Sequence, residues 1–180
     1  MKLFVIATQS INLIIIAFYS KIEYICKNKK TMDECETWEQ DCAQIKKHNK
    51  KLLAEFSIWL NQLGLAKKTN EAHYGNVDFY INNFLLYEEA VAAKDGTDMI
   101  GIFLGYWFIR KTVWASEYSI KRNITSIKKF YKFMLEKNLI TTKQFAELKK
   151  IIKAEQSNWL GIAKRNNDPD INSMEEIWEF

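Results

Sequence analysis

Proline is almost absent from this chain. The single one in 180 residues, Pro169, lies near the end, so no helix in the body is forced to kink. Glycine is scarce as well, at six. None of the glycines falls in a G-x-x-x-x-G-K-[ST] or G-x-G-x-x-G loop, which removes the usual glycine-built phosphate cradles. The nearest approach, Gly101 and Gly105, sits inside an apolar run and reads as a packing feature. Cysteine is limited to Cys26, Cys35 and Cys42, with no C-x-x-C. An odd count, with two residues seven apart on one helix, does not make a disulfide framework, and free thiols in a cytoplasmic protein are expected. Cys35, Cys42 and His48 fit no usual zinc spacing, so neither a metal nor a cofactor is expected.

Only two histidines are present. His48 in H-N-K-K and His73 in E-A-H-Y-G have no Ser or Cys partner in a recognisable nucleophile arrangement. His48 reads as a solvated helix residue and His73 as part of a helix interface. The carboxylate pairs Glu88-Glu89 and Glu175-Glu176 are adjacent, so on a helix they point about 100° apart and do not suggest a glycosidase. A non-enzymatic chain is the expectation.

What is present is apolar and helical. The chain is 48% hydrophobic and 27% charged, ordinary for one globular domain, and it is long enough to fold without a disulfide or metal. The net charge of +4 is unevenly spread. Ser116 to Lys153 holds ten Lys or Arg against Glu117, Glu136 and Glu147, a local +7. Asp33 to Asp41 is acidic, and Asp168 to Phe180 carries five carboxylates and no base. A basic middle between acidic ends points to a polyanion-binding face.

Residues 1–31 stand apart. Residues 3–18 are apolar but broken by Thr8, Gln9, Ser10 and Asn12, and fall short of the ~20 residues that cross a bilayer. Three readings remain open: an upstream extension before a start at Met32, a membrane-associated helix, and a signal peptide or packed helix. If the segment did span, Lys21, Lys27, Lys29 and Lys30 would hold the rest on the cytoplasmic side.

The spacing predicts five helices over residues 33–165. The first runs from about Glu36 to Leu63, with an apolar stripe of Ile45, Leu52, Phe56, Trp59 and Leu63, and stops at Gly64. Thr69 is expected to cap the second, which continues to about Leu86 with Val77, Tyr80, Ile81 and Phe84 facing the core. Thr97 or Asp98 is expected to cap the third, Met99 to about Val113, apolar nearly all round and therefore central. Its aromatic group Tyr106, Trp107 and Phe108, with Trp114, is expected to pack in the core rather than form a base-stacking platform. Thr141 or Thr142 starts the fifth helix after a turn at Asn138. Residues 168–180 read as a loose acidic tail or a short docking helix.

The fourth helix, Ser116 to Lys137, organises the rest. Ile120, Ile124, Ile127, Tyr131 and Met134 recur at steps of four and three on one face, and Ser116 is a good N-cap. The next stripe is Lys121, Thr125, Lys128 and Lys132, with Arg122, Ser126 and Lys129 beside it. The stripe covers about 16 Å at 1.5 Å per residue, enough to neutralise several phosphates of a duplex. Phosphate contacts position a protein without reading sequence, whereas the Arg122 fork could read a guanine edge.

Three pieces in order resemble the core-binding (SAM-like) domain of tyrosine recombinases, the phage integrases. Leu52-Leu53-Ala-Glu-Phe56-x-x-Trp59-Leu60 followed by Gly64-Leu65-Ala66-Lys67-Lys68-Thr69 is similar to the family's first helix and its G-L-S-x-x-T turn. His73, Val77 and Tyr80 match positions that are usually Tyr, Leu and Phe. Ser116 to Phe133 is similar to the family's S-x-x-T-I-x-R-x-L-S-A-L-R-x-F-Y helix, and order and spacing agree over about 90 residues. The resemblance implies a helical bundle on one side of duplex DNA, with backbone contacts from Lys67, Lys68, Thr69, Lys121, Arg122, Thr125, Lys128 and Lys129, and from Lys132 on the same stripe. It departs from the family at His73 and, more deeply, in lacking the catalytic half: no H-x-x-R follows either histidine. The expectation is therefore an all-α, non-catalytic DNA-binding module whose partner is double-stranded DNA, a recombinase or other protein being a second partner. The competing expectation is a helical protein-interaction module with solvated lysines, tethered to a membrane or not through residues 3–18.

Overall fold

Side-chain caps set two of the helix starts. A computed structural model describes residues 32–171 and 173–178 and places six α-helical elements, and no strand, among them. We number them α1 (Met32–Gln62), α2 (Lys67–Asp78), α3 (residues 100–111), α4 (Glu117–Glu136), α5 (Thr142–Asn166) and α6 (Met174–Trp178). The expected all-α bundle is what forms. The apolar segment 3–18, and all of 1–31, lies outside the described residues. Among the described residues no helix is long and apolar enough to cross a membrane.

Ser116 caps α4 as its sequence suggests, and does so reciprocally. The Ser119 N–H donates to Ser116 Oγ at 3.2 Å, and the Ser116 N–H donates to Ser119 Oγ at 2.8 Å. Thr141 and Gln144 build the same box at the head of α5. Two expected caps are corrected. Thr69 lies inside the first turn of α2, because extended Ala66 already accepts from Thr69 and Asn70 N–H groups and starts the helix earlier. Neither Thr97 nor Asp98 caps α3; Met99 precedes it in helical conformation with no side-chain cap. Gly64 ends α1 at φ 71°, a conformation that favours glycine, and Asn138 turns the chain between α4 and α5 at φ 58°.

Packing follows the apolar spacing. From α1, Leu52, Leu53, Phe56 and Leu60 are buried, and the Phe56 ring meets Phe130 edge-on at 5.4 Å and Phe133 at 5.6 Å. Burial of each such ring contributes roughly 2–3 kcal/mol. Leu63, expected on the same stripe, is 45% exposed. It falls beyond the last helical residue, Gln62, so the helical period no longer governs it. Val77, Tyr80, Ile81 and Phe84 are all buried as expected.

Two widened helical turns face each other at the centre. Residues 79–84 and 103–107 are π-helical, with the Leu85 N–H reaching the Tyr80 carbonyl and the Phe108 N–H the Phe103 carbonyl, five residues back. Between them Phe103 packs against Tyr80 at 4.9 Å and Phe84 at 5.0 Å, and Phe84 meets Trp107 at 5.5 Å. Beneath them, buried Tyr131 donates to the Ala93 carbonyl at 2.9 Å and Tyr80 to the Gly96 carbonyl, pinning the short turn at Ala93–Asp95. Burial pushes both phenols well above their ordinary range, so both keep their protons and donate to these carbonyls.

The aromatic group expected in the core divides. Phe108 is buried and Trp107 half-buried, but Tyr106 and Trp114 are exposed. The reason for Trp114 is that α3 stops at Lys111, and Trp114 sits in the connection to α4. The acidic end takes the docking-helix form over Met174–Trp178: Trp178 Nε1 donates to the Gly105 carbonyl at 3.2 Å, and its ring meets Tyr106 at 5.8 Å. Arg165 Nε donates to the Ile177 carbonyl at 2.8 Å.

The expectation of free thiols is corrected at Cys35, which is disulfide-bonded; Cys42 is buried in the core. Cys35 and Cys42 cannot pair with each other, because seven residues of helix separate them by about 10 Å. The argument from an odd count did not extend to a single bridge.

Gly105 is a packing position, as its place in an apolar run suggests. A Cβ there would lie 2.9 Å from Trp159 Cδ1 and 3.0 Å from its Nε1, and Trp159 is itself fully buried. Gly105→Ala is expected to lower stability by about 1–3 kcal/mol through overpacking, read as a lower urea midpoint with an unchanged m-value.

Candidate nucleic-acid interface

Burial of one side of α4 determines what its other side presents. Ile120, Ile124, Ile127, Phe130, Tyr131, Phe133 and Met134 are all buried. At about 100° per residue, the remaining exposed arc of about 120° carries Lys121, Arg122, Thr125, Lys128, Lys129 and Lys132. All are exposed except Lys129, which is half-buried. Tyr118 falls within the same arc and is 69% exposed. The Arg122 guanidinium lies 5.4 Å from its ring centre, a cation–π contact at the i, i+4 spacing.

The arc is not uniform along its length. Glu136 closes its far end: it pairs with Lys132 at 3.7 Å and accepts from Trp59 Nε1 at 2.7 Å. Lys137 likewise meets Glu55 at 3.5 Å. By contrast, among the described residues no ion pair engages Lys121, Arg122, Lys128 or Lys129. The uncompensated charge therefore occupies α4 from its second to its fourth turn. Thr125 donates its hydroxyl to the Lys121 carbonyl at 2.9 Å, which still leaves its oxygen exposed.

Ser126 was expected beside the lysines as a surface donor; it is fully buried. It is the node that joins α4 to α2. Its hydroxyl donates to the Arg122 carbonyl at 2.9 Å. Its oxygen then accepts from Asn76 Nδ2 at 2.9 Å and from His73 Nδ1 at 2.8 Å. That count places the proton of neutral His73 on Nδ1. His73 is buried in the helix interface as its sequence suggests. Burial chiefly, and then the positive charges of Lys129 and Arg122, hold its pKa below the ordinary value. The same charges show that the seam brings Arg122 and Lys129 up against α2.

Lys67, Lys68 and Thr69 lie exposed in the first turn of α2. Lys67 is 4.0 Å from Glu71, both highly exposed, an ion pair of little consequence. No hydrogen bond or ion pair links this trio to the α4 residues among the described residues. The structure thus joins the α4 group on one face and leaves the α2 group as a separate basic start.

Sequence reasoning missed the groove at the head of α4. A cavity of about 400 Å³ opens between α2 and α4, walled by Phe79, Trp114 and Tyr118, with Arg122 and Asn123 on its α4 side and Gly75 on its α2 side. Nothing lies within 4 Å of a Cβ built on Gly75. The i, i+4 spacing of Tyr118 and Arg122 was a usable signal; the contribution of Trp114, from a connection, had none. Among the described residues no group of His, Cys, Asp or Glu is arranged to hold a metal. No family model, curated protein or solved structure matches the chain.

The seam makes stability pH-dependent. A histidine whose folded pKa is depressed favours the folded state only while neutral. Its contribution is complete above about pH 6.5 and is lost as pH falls toward the folded value, since the unfolded chain then binds more protons. The melting temperature is expected to fall between pH 7 and pH 5. His73→Asn, which keeps a donor near the Nδ1 position without a titrating ring, is expected to flatten that fall while lowering the neutral-pH value. Thermal melts of both proteins across this range, with equal slopes as the contrary result, check it.

Proposed function

We propose that this chain is a non-catalytic DNA-binding module that lies along duplex DNA through the exposed arc of α4, in the manner of an integrase core-binding domain. One observation carries the reading. Lys121, Arg122, Lys128 and Lys129 share one helix face with no carboxylate partner among the described residues. A stripe of cations that meets phosphates along a duplex releases counterions and gains affinity without reading sequence. Lys67, Lys68 and Thr69 at the start of α2 supply further backbone contacts, and Lys132, already held by Glu136, supplies less. The sequence resemblance to the recombinase core-binding helix supports the same face. It also supports a SAM-like bundle, with a recombinase as a protein partner.

A second reading, docking of a protein partner, is favoured by a specific patch. Val113, Trp114 and Tyr118 are all largely exposed at the head of α4, and clustered apolar side chains often mark such surfaces.

The experiment is binding of the full chain to a blunt duplex of random sequence, titrated over salt. With about five phosphate contacts, log K is expected to fall against log[salt] with a slope of about −4 to −5. Lys121→Glu with Lys128→Glu is expected to make that slope about 2 units shallower and to weaken binding equally on every sequence. Absence of salt-dependent binding at low ionic strength would overturn the reading and leave the protein-partner one.

A further inference from the structure

We propose that the groove at the head of α4 holds one unpaired nucleotide of a DNA strand, its base against Trp114 and Tyr118 and its phosphate on Arg122. The inference rests on the DNA-binding reading above and names a site within it. Three independent features of the groove meet in this ligand.

The first is its walls. Trp114 and Tyr118 are 60% and 69% exposed, and Phe79 backs Trp114 at 6.2 Å between ring centres. Exposed rings of this kind are stacking platforms for bases, which all offer a π-face, and Arg122 already lies over one face of Tyr118. The second is charge. Arg122 lines the groove and, among the described residues, no carboxylate does, so an anionic group is favoured there and a cationic one is not.

The third is a buried acceptor without a partner. Asn123 lines the groove and is only 4% exposed. Its Nδ2 donates to the Ser119 carbonyl at 2.9 Å, which fixes the amide's orientation. That leaves Oδ1 pointing elsewhere, buried and with no hydrogen-bond partner among the described residues. A buried carbonyl oxygen of this kind carries a desolvation cost until a donor reaches it. An exocyclic amino group or ring N–H of a base is such a donor once the groove wall shifts to uncover the oxygen. The volume of about 400 Å³ falls within the range of small-ligand sites, and the bare α2 backbone at Gly75 keeps one side open.

Duplex DNA lying along α4 would not itself fill this groove, because its bases are stacked. A strand end, gap or overhang would. Arg122 belongs to both surfaces, so a phosphate on the basic arc delivers the next nucleotide to the groove.

The test compares full-chain binding to a blunt duplex and to the same duplex with a short adenine overhang, at one salt concentration. The overhang is expected to bind about tenfold more tightly, the effect of one stacked base. Trp114→Ala, in the connection outside the basic arc, is expected to remove that gain while leaving blunt-duplex affinity unchanged, and Tyr118→Ala, within the arc, to remove the gain measured against its own blunt-duplex affinity; both side chains are exposed, and circular dichroism checks that the variants fold. Equal affinity for the two DNAs, or a gain that survives both variants, overturns the proposal and leaves the duplex-binding function standing. Binding of the overhang alone, with no affinity for the blunt duplex, supports the groove and sinks the duplex reading. Deoxyadenosine monophosphate forms the remaining arm. If it binds in a Trp114-dependent way and the overhang gives no gain, the groove takes a free nucleotide and the strand proposal falls. Failure of every ligand overturns both.

Discussion

The burial of α4 is the constraint on which the rest of this protein depends. Seven large side chains on one side of a twenty-residue helix are withdrawn from water, each worth roughly 1.5–3 kcal/mol. No other rotation of the helix could bury them. Once that face is committed, the opposite arc has no choice but to project its lysines outward, and the head of the helix must lie beside α2. The Ser126 node then fixes the approach of α2 with three hydrogen bonds that account for every proton available to it. A substitution that disturbed this rotation would scatter the basic arc and open the groove together.

How much of this was legible in the amino-acid order varies with how local the cause is. The buried stripe of α4, its serine cap and the exposed lysines follow from period and cap chemistry within one segment, and they stand as expected. Ser126 did not, because its burial depends on His73 and Asn76 arriving from another helix fifty residues away. Nor did Trp114, whose exposure depends on where α3 ends rather than on any pattern of its own. Thr69 illustrates a third kind of miss. Its hydroxyl was competent to cap, but Ala66 was already extended and accepting, and backbone geometry took precedence over side-chain preference. The groove belongs wholly to this second class of feature: walls from α2, from a connection and from α4 meet only after folding.

The seam couples the basic arc to the stability of the bundle. His73 is kept neutral by burial and by the cations beside it, so the interface tolerates Arg122 and Lys129 at the expense of a histidine that resists protonation. An anion held between those cations would offset part of their effect on His73. Occupancy of the positive face would therefore raise the pKa of His73, with burial still holding it down.

That positive face is difficult to explain as mere solubility. Like charges on neighbouring turns repel, by about 1 kcal/mol at 4 Å in water and less once salt screens them, and a surface built only to stay soluble intersperses both signs. Elsewhere this chain does so: Lys150 with Glu147, Lys137 with Glu55, Lys67 with Glu71. From Lys121 to Lys129 on α4 it does not, and at the head of that stretch lie a stacked arginine, two exposed rings and a buried acceptor with no partner among the described residues. A protein partner would account for the rings, and general solvation for isolated lysines. On the reading proposed above, a nucleotide strand would bring an anion to the charge and a planar base to the rings.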